Sequence, residues 1–512
     1  MMAQKLALDR DLKAISRLEK AANRAGRGGL NLGLGFVFLL IVLGFVAVQA
    51  GDLEGSALII AAGVIGGYMA LNIGANDVAN NVGPAVGSKA LTIGGALLIA
   101  VIFESAGALI AGGDVIKTIS KGIIDPNLIA NTDTFIWTMM AALLAAAAWI
   151  NIATWVGAPV STTHSIVGGV LGAGIAAAGV SAVNWPTMAT IAASWVISPL
   201  LGAVIAAAFL AAIKFLIVFK EDKISAAKRW VPVFVGIMAA AFAVYLIMKG
   251  LKRIYQADSL TIIIVGAAAF VVTYLLVRPA VAHAAAGLEN RRKSVSTLFT
   301  IPLICAAALL SFAHGANDVA NAIGPLAAIV SAVRSGGIDT AVAVPPWVML
   351  VGALGIAAGL ALYGPKLIRT VGEKITKLDR VRAFAVALSA AITVIFASAL
   401  GLPVSSTHIA VGAIFGVGFF REVLVNWNNR AATAGNRDPG KKKKNAGNIA
   451  AAPAAGMVLS HKAGKKLKKA RKRHLVRRHY VVTIAAAWVL TVPAAAFLSA
   501  FFFFTLRGLL LP

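Results

Sequence analysis

Apolar residues in this chain come in long unbroken runs. Asn31 to Ala50, Ala96 to Gly113, Phe135 to Val156, Val231 to Met248, Thr261 to Val277 and Val481 to Phe504 are the clearest. Each is near the ~20 residues a helix needs to span hydrocarbon. The pattern predicts an all-α, polytopic membrane protein with about thirteen crossings, near 31–50, 57–77, 91–113, 135–157, 160–181, 187–218, 231–249, 259–278, 298–318, 346–364, 383–401, 403–420 and 480–505. The fifth and twelfth are short or broken by glycine. A β-barrel would alternate apolar and polar residues in segments of about ten, and no such segment occurs. The first run is too long for the apolar region of a cleavable signal, so 31–50 is expected as a retained additional helix.

Charge sets the orientation. Only 13% of residues are charged, yet the formal net charge is +27. Arg430 to His479 holds sixteen Lys/Arg against Asp438, and residues 1–30 hold seven against three acids. Cytoplasmic loops of membrane proteins collect Lys and Arg, so this charge is read as topology rather than as nucleic-acid binding. A cytoplasmic N-terminus places 219–230, 279–297, 365–382 and 421–479 inside. Lys252 and Arg253, in a loop that then falls outside, run against the rule. Within 421–479, disorder is expected near Asn436 to Asn448 and helix nearer 460–478. The single cysteine, Cys305, excludes a disulfide within one chain.

The chain repeats itself. "NIGANDVANNVGPAVGS" at 72–88 matches "AHGANDVANAIGPLAAI" at 313–329, and "GAPVSTTHSIVGGVLGAG" at 157–174 matches "GLPVSSTHIAVGAIFGVG" at 401–418. A weaker match joins 107–119 to 359–371. Two units are therefore expected, 57–218 and 298–505, joined by 219–297 with two crossings. The first GANDVAN falls on crossing two and the second on crossing nine. An odd number of steps separates them, so the units have opposite orientation. Inverted-topology repeats with broken helices are a secondary-transporter architecture, with the site between the repeats.

The repeated polar residues supply candidate chemistry. Asp inside a span costs about 2.5 kcal/mol or more, so Asp77 and Asp318 need an ion, a partner or water. With Asn76, Asn80, Asn317 and Asn321 they offer side-chain oxygens suited to a hard cation. Na+ at Asn76, Asp77, Asn317 and Asp318 is the specific expectation, and Gly83-Pro84 and Gly324-Pro325 could free backbone carbonyls as further ligands. The bland alternative is hydrogen bonding that glues helices together. In the second motif, Ser161, Thr162, Thr163 and Ser405, Ser406, Thr407 follow a proline and precede glycine-rich helix. Such a start offers hydroxyls and free N–H groups to an anion. The alternative there is a helix kink with hydroxyls bonding back to carbonyls. His164 and His408 are read as structural. Glu104, with Ile356 at the matching place, is expected in cation coupling. A tetrahedral oxyanion between the Ser/Thr helix starts, its charge offset by cations on the Asn/Asp motifs, is the resulting picture.

At these motifs the chain resembles the inorganic phosphate transporter (PiT) family, over 57–218 and 298–505. The resemblance implies a symporter importing inorganic phosphate with Na+ or H+ across the inner (cytoplasmic) membrane, with these residues as its sites. Ala387 stands where some members carry a second intramembrane acid. Helix 31–50 and the basic segment lie outside the shared core. A sulfate or other oxyanion symporter, and a scaffold or receptor acting through the basic segment, are the competing readings. No Ser–His–acid arrangement, metal-ligand cluster or nucleotide loop is evident in the sequence, so no enzyme and no organic cofactor are expected. Phosphate, a coupling cation and lipid are the expected partners, and a homo-oligomer is compatible with the sequence.

Overall fold

A computed structural model describes residues 29–156, 158, 160–251, 255–338, 344–374, 378–435 and 478–510. The basic stretches within 436–477 lie outside the described residues, as do Lys252 and Arg253. The described residues are mostly helical and hold one isolated β-bridge, Ile124 with Val183. The principal helices are α1 (Gly29–Ala50), α2 (Ser56–Gly87), α3 (Ile93–Ala111), α4 (Thr132–Val156), α5 (Thr162–Ala178), α6 (Trp185–Ile213), α7 (Lys223–Tyr245), α8 (Ser259–Ala284), α9 (Arg292–Leu298), α10 (Thr300–Asp318), α11 (Ala320–Ser335), α12 (Pro346–Lys374), α13 (Arg380–Ala399), α14 (Ser406–Gly435) and α15 (Arg478–Leu510).

Twelve stretches among the described residues are long and apolar enough to cross a membrane. The expected count was thirteen, and the difference is α5. It is apolar but holds only 17 residues, about 25 Å at 1.5 Å per residue. The GANDVAN copies also sit differently from expectation. The first lies inside the unbroken helix α2, which runs through Pro84 to Gly87. The second is interrupted at Val319, within the motif and not at Gly324-Pro325. Proline is tolerated here because each helix is packed on several sides.

Helix pairing has an internal exchange symmetry. α2 packs on α12, and α3 packs on α10. α5 lies against α4 and α15, as α14 lies against α13 and α6. The close contacts repeat as well. A Cβ added to Gly74 would strike the carbonyl oxygen of Ile356, and one added to Gly315 would strike that of Glu104. Gly359 meets the Leu71 carbonyl as Gly107 meets that of Phe312. Small residues let helix backbones approach where hydrocarbon gives no hydrophobic drive. Gly74 and Gly315 thus hold the two Asn/Asp motifs against α12 and α3.

The buried apolar residues form two cores. One gathers α1, α4, α5, α11 and the start of α2; the other gathers α3, α6, α7, α10, α13 and the end of α2. The polar motifs lie between them. α8 stands at the edge, with Ile263, Ile264, Val271, Val272 and Leu275 exposed, as expected of a helix facing lipid. Asp114 pairs with Lys249, which places the residues after α3 and the end of α7 on the same side, in agreement with the parity of the crossings.

Candidate functional site

Two helix starts meet the continuous middle of α2 and the α10–α11 break at the centre of the protein. Ser161 caps α5 by accepting the His164 backbone N–H at 3.1 Å, and Ser405 caps α14 by accepting that of His408 at 3.2 Å. Residues 160–161 and 403–405 before these caps are extended or irregular. Pro403 helps, since proline disfavours helix at the residue before it. The N–H groups of the first helical turn have no carbonyl partner in their own helix, and the local dipole favours negative charge there.

The hydroxyls of both starts are turned onto the carboxylates. Thr162 Oγ1 donates to Asp77 Oδ2 at 2.8 Å, and Thr407 Oγ1 donates to Asp77 Oδ1 at 2.8 Å. Asp77 is thus held by one residue of each PV-S-[ST]-TH copy. Ser406 Oγ donates to Asp318 Oδ2 at 2.7 Å. The asparagines reach across: Asn80 Nδ2 donates to Thr407 Oγ1 at 2.7 Å, and Asn321 Nδ2 donates to Thr162 and Thr163 Oγ1 at 3.3 and 3.2 Å. Thr163 Oγ1 donates to the Val404 carbonyl at 2.9 Å. All six Ser/Thr residues, both aspartates and all four asparagines are buried.

The outer asparagines are matched in the same way. Asn76 Nδ2 donates to Thr154 Oγ1 at 2.9 Å and the Ala158 carbonyl at 3.4 Å. Asn317 Nδ2 donates to Ser398 Oγ at 2.8 Å and the Leu402 carbonyl at 3.2 Å. Asn76 Oδ1, Asn321 Oδ1 and Asp318 Oδ1 are among the buried oxygens that accept no hydrogen bond from the protein. A buried acceptor without a donor is costly, and neutral and anionic oxygens of this kind are the ligands a hard cation takes.

Sequence reasoning passed over one central residue. His314, fully buried, places Nε2 2.8 Å from Asp318 Oδ2 and 3.8 Å from Asp77 Oδ2, with Nδ1 3.3 Å from Glu104 Oε2. Asn81 Nδ2 donates to the other oxygen of Glu104 at 2.7 Å. The signal was present, since His314 is four residues before Asp318 and i, i+4 residues share a helix face. No metal-ligand cluster was expected, yet ligand atoms of Asp77, His314 and Asp318 lie within 4.8 Å of one another. Glu104 is brought to this group through His314, not to the Ser/Thr starts directly. His164 and His408 do not enter it. Their rings meet edge to face at 4.4 Å, and His164 lies against Trp195 at 3.8 Å. Trp195 Nε1 in turn donates to the Pro403 carbonyl at 3.2 Å.

The chain is also similar to known proteins. The pattern of the phosphate transporter family matches residues 73–499. A predicted phosphate permease of Helicobacter pylori is 48% identical, over 97% of this chain and 98% of that protein. The inorganic phosphate transporter 2-1, chloroplastic, of Arabidopsis thaliana is 38% identical, over 71% of this chain and 68% of its own length. A solved structure described as the sodium-dependent phosphate transporter superposes with a TM-score of 0.75 at 34% identity, covering 89% of this chain and 100% of that one.

Proposed function

The chain belongs to the phosphate transporter family, and from that premise we propose that it imports inorganic phosphate across the cytoplasmic membrane in symport with a cation. The name of the similar solved structure supports Na+ as that cation. Units 57–218 and 298–505 are its two halves, and 219–297 with its two helices joins them.

One observation carries the reading: hydroxyls of both helix starts donate to the carboxylates of the Asn/Asp motifs. A hydroxyl has a single proton to donate. While Thr162, Ser406 and Thr407 satisfy Asp77 and Asp318, they cannot serve an oxyanion. A cation on Asp77 and Asp318, completed by the oxygens of Asn76 and Asn321, would replace those donors. The freed O–H groups and the open N–H groups at 162–163 and 406–407 then face phosphate oxygens. The cation offsets the charge of the anion, which is otherwise costly in a water-poor site. Neither ion binds well alone, so the two are moved together. His314 Nε2 lies against Asp318 Oδ2 and near Asp77 Oδ2, the same oxygens that accept from Ser406 and Thr162.

Uptake of labelled phosphate into vesicles containing the purified chain, under an imposed Na+ or H+ gradient, tests this. Gradient-driven accumulation is expected, blocked by excess unlabelled phosphate but not by sulfate. Accumulation blocked equally by sulfate would make this a general oxyanion symporter, and no accumulation under either gradient would end the reading.

A further inference from the structure

A cavity of about 1190 Å³ lies between α1, α2, α4 and α12. Gly29, the first residue of α1, and Pro365, which ends the apolar span of α12, line it at one end. Ala75 and Thr154 line it at the other. Thr154 Oγ1 accepts from Asn76 Nδ2 at 2.9 Å, so the cavity runs from one membrane face to the central motif. We infer that this cavity is the passage by which ions reach the central site from that face, and that Phe242, Tyr245 and Phe312 are the plug that shuts the matching passage from the other face.

The cavity carries a polar stripe. Asn151 Nδ2 donates to Asn72 Oδ1 at 3.0 Å, and Asn72 Nδ2 donates to the Tyr68 carbonyl at 2.9 Å. Asn72 and Asn76 are four residues apart and share a helix face, so the stripe leads to the central site. Asn151 is exposed within the α4 span. An exposed amide there is costly against hydrocarbon and is satisfied by water. The remaining lining is mostly apolar, and a passage must hold ions weakly enough to let them leave. α1 is its side wall. Asn31 Nδ2 donates to the Leu362 carbonyl at 2.6 Å, and the Tyr363 hydroxyl donates to the Asn31 carbonyl at 3.0 Å.

The repeats show what stands at the matching place. Their alignment pairs Leu71 with Phe312, Asn72 with Ala313 and Asn151 with Ile395. Leu71 and Asn72 line the open cavity, whereas Phe312, Ala313 and Ile395 are buried. The Phe312 ring packs edge to face on Phe242 at 5.1 Å and on the buried Tyr245 at 6.3 Å. α7 continues past Tyr245 as a π-helical turn, Leu246–Gly250, a form frequent at functional sites. Gly250 is set against Ile110, the match of Leu362, and Lys249 pairs with Asp114. One passage open and its mate shut is one end state of a carrier with alternating access.

The inference rests on the transport reading, so its test measures access rather than uptake. In the full chain carrying Cys305→Ala, single cysteines are placed as Asn151→Cys and Ile395→Cys. Ala286→Cys after α8 and Ala130→Cys after α3, both at exposed positions, mark the two faces. A membrane-impermeant maleimide is applied to vesicles from either side without phosphate. Asn151→Cys should react from the Ala286 face. Ile395→Cys should react about tenfold or more slowly from the Ala130 face, because the rate follows the fraction of molecules open to that side. Phe242→Ala with Tyr245→Ala should raise the Ile395→Cys rate by about that factor. Phe242→Leu with Tyr245→Phe, which keeps the plug filled, should leave it low. Asn151→Cys should keep its reactivity and its face in both plug variants, which separates opening from misfolding. Three results would each overturn the inference: Asn151→Cys reacting only with a lipid-soluble maleimide, both cysteines reacting equally from both faces, or an Ile395→Cys rate untouched by the alanine pair. The expected sidedness without phosphate uptake would support the passages and count against the proposed cargo.

Discussion

Thr407→Val is the sharpest test of the hydroxyl exchange. Valine keeps the shape of threonine and removes its O–H. In the structure that O–H donates to Asp77 Oδ1 at 2.8 Å, and the same oxygen accepts from Asn80 Nδ2 at 2.7 Å. Asn80 keeps a second acceptor in Asp77 Oδ1 at 3.3 Å, so the main loss is one hydrogen bond to a charged group, about 1.5–3 kcal/mol. If the hydroxyl serves phosphate in the loaded state, the apparent KM for phosphate rises by about 10- to 150-fold, at tenfold per 1.4 kcal/mol. The cation constant moves the other way. A cation entering the unchanged site must displace the Thr407 donor from Asp77, and in the variant there is no donor to displace. The apparent KM for the cation therefore falls, by up to the same factor. Thr407→Ser keeps the O–H and should behave as the unchanged chain. The assay is initial uptake into vesicles across a grid of phosphate and cation concentrations, normalised to incorporated protein. Two constants that rise together, or an unchanged phosphate KM, would refute the exchange.

Asp77→Asn and Asp318→Asn should each remove gradient-coupled accumulation while the protein still inserts, because an amide keeps the shape and loses the charge that binds the cation; near-normal coupled uptake in both would count against the site. Gly315→Ala should impair yield and activity together, since its methyl meets the Glu104 backbone carbonyl and overpacking costs about 1–3 kcal/mol; Gly315→Ala with full stability in a thermal melt would mean that α3 and α10 can separate freely. Ser161→Ala should lose about 1 kcal/mol of helix capping and shift melting more than it shifts the cation constant. Deleting 436–448 should spare phosphate uptake, as the bonds of the central cluster are made by residues of α2, α3, α5, α10 and α14 outside that stretch; loss of uptake in an inserted deletion would show that the segment regulates the transporter.

Much of the architecture was legible because hydrocarbon imposes a simple grammar. Runs near twenty residues located nearly every long helix, and the duplicated letters located the polar motifs between the two cores. Helix breaks were less legible. Gly-Pro after each GANDVAN signals interruption, yet α2 passes through Pro84 and the second break falls at Val319. Tertiary packing on several faces outweighs the local preference of two residues. His314 was missed for a related reason. It has no twin in the first unit, where Ile73 stands, so a search guided by repetition passes over it. Its partners Asn81 and Glu104 come from α2 and α3, and only the helix packing set by Gly315 and Gly107 brings them together.

That lack of a twin has a thermodynamic consequence. Matching the two units pairs His314 with Ile73, Glu104 with Ile356 and Asn81 with Ala322. In a transporter built from two identical halves, exchanging the halves converts the inward-open shape into the outward-open one, so both would have equal free energy and be equally populated. A buried polar trio on one side of the exchange, against two isoleucines and an alanine on the other, breaks that equality. Each 1.4 kcal/mol of difference skews the resting populations by about tenfold. Equal populations are therefore not imposed on this carrier by the identity of its halves, and these three positions are one place where the halves differ.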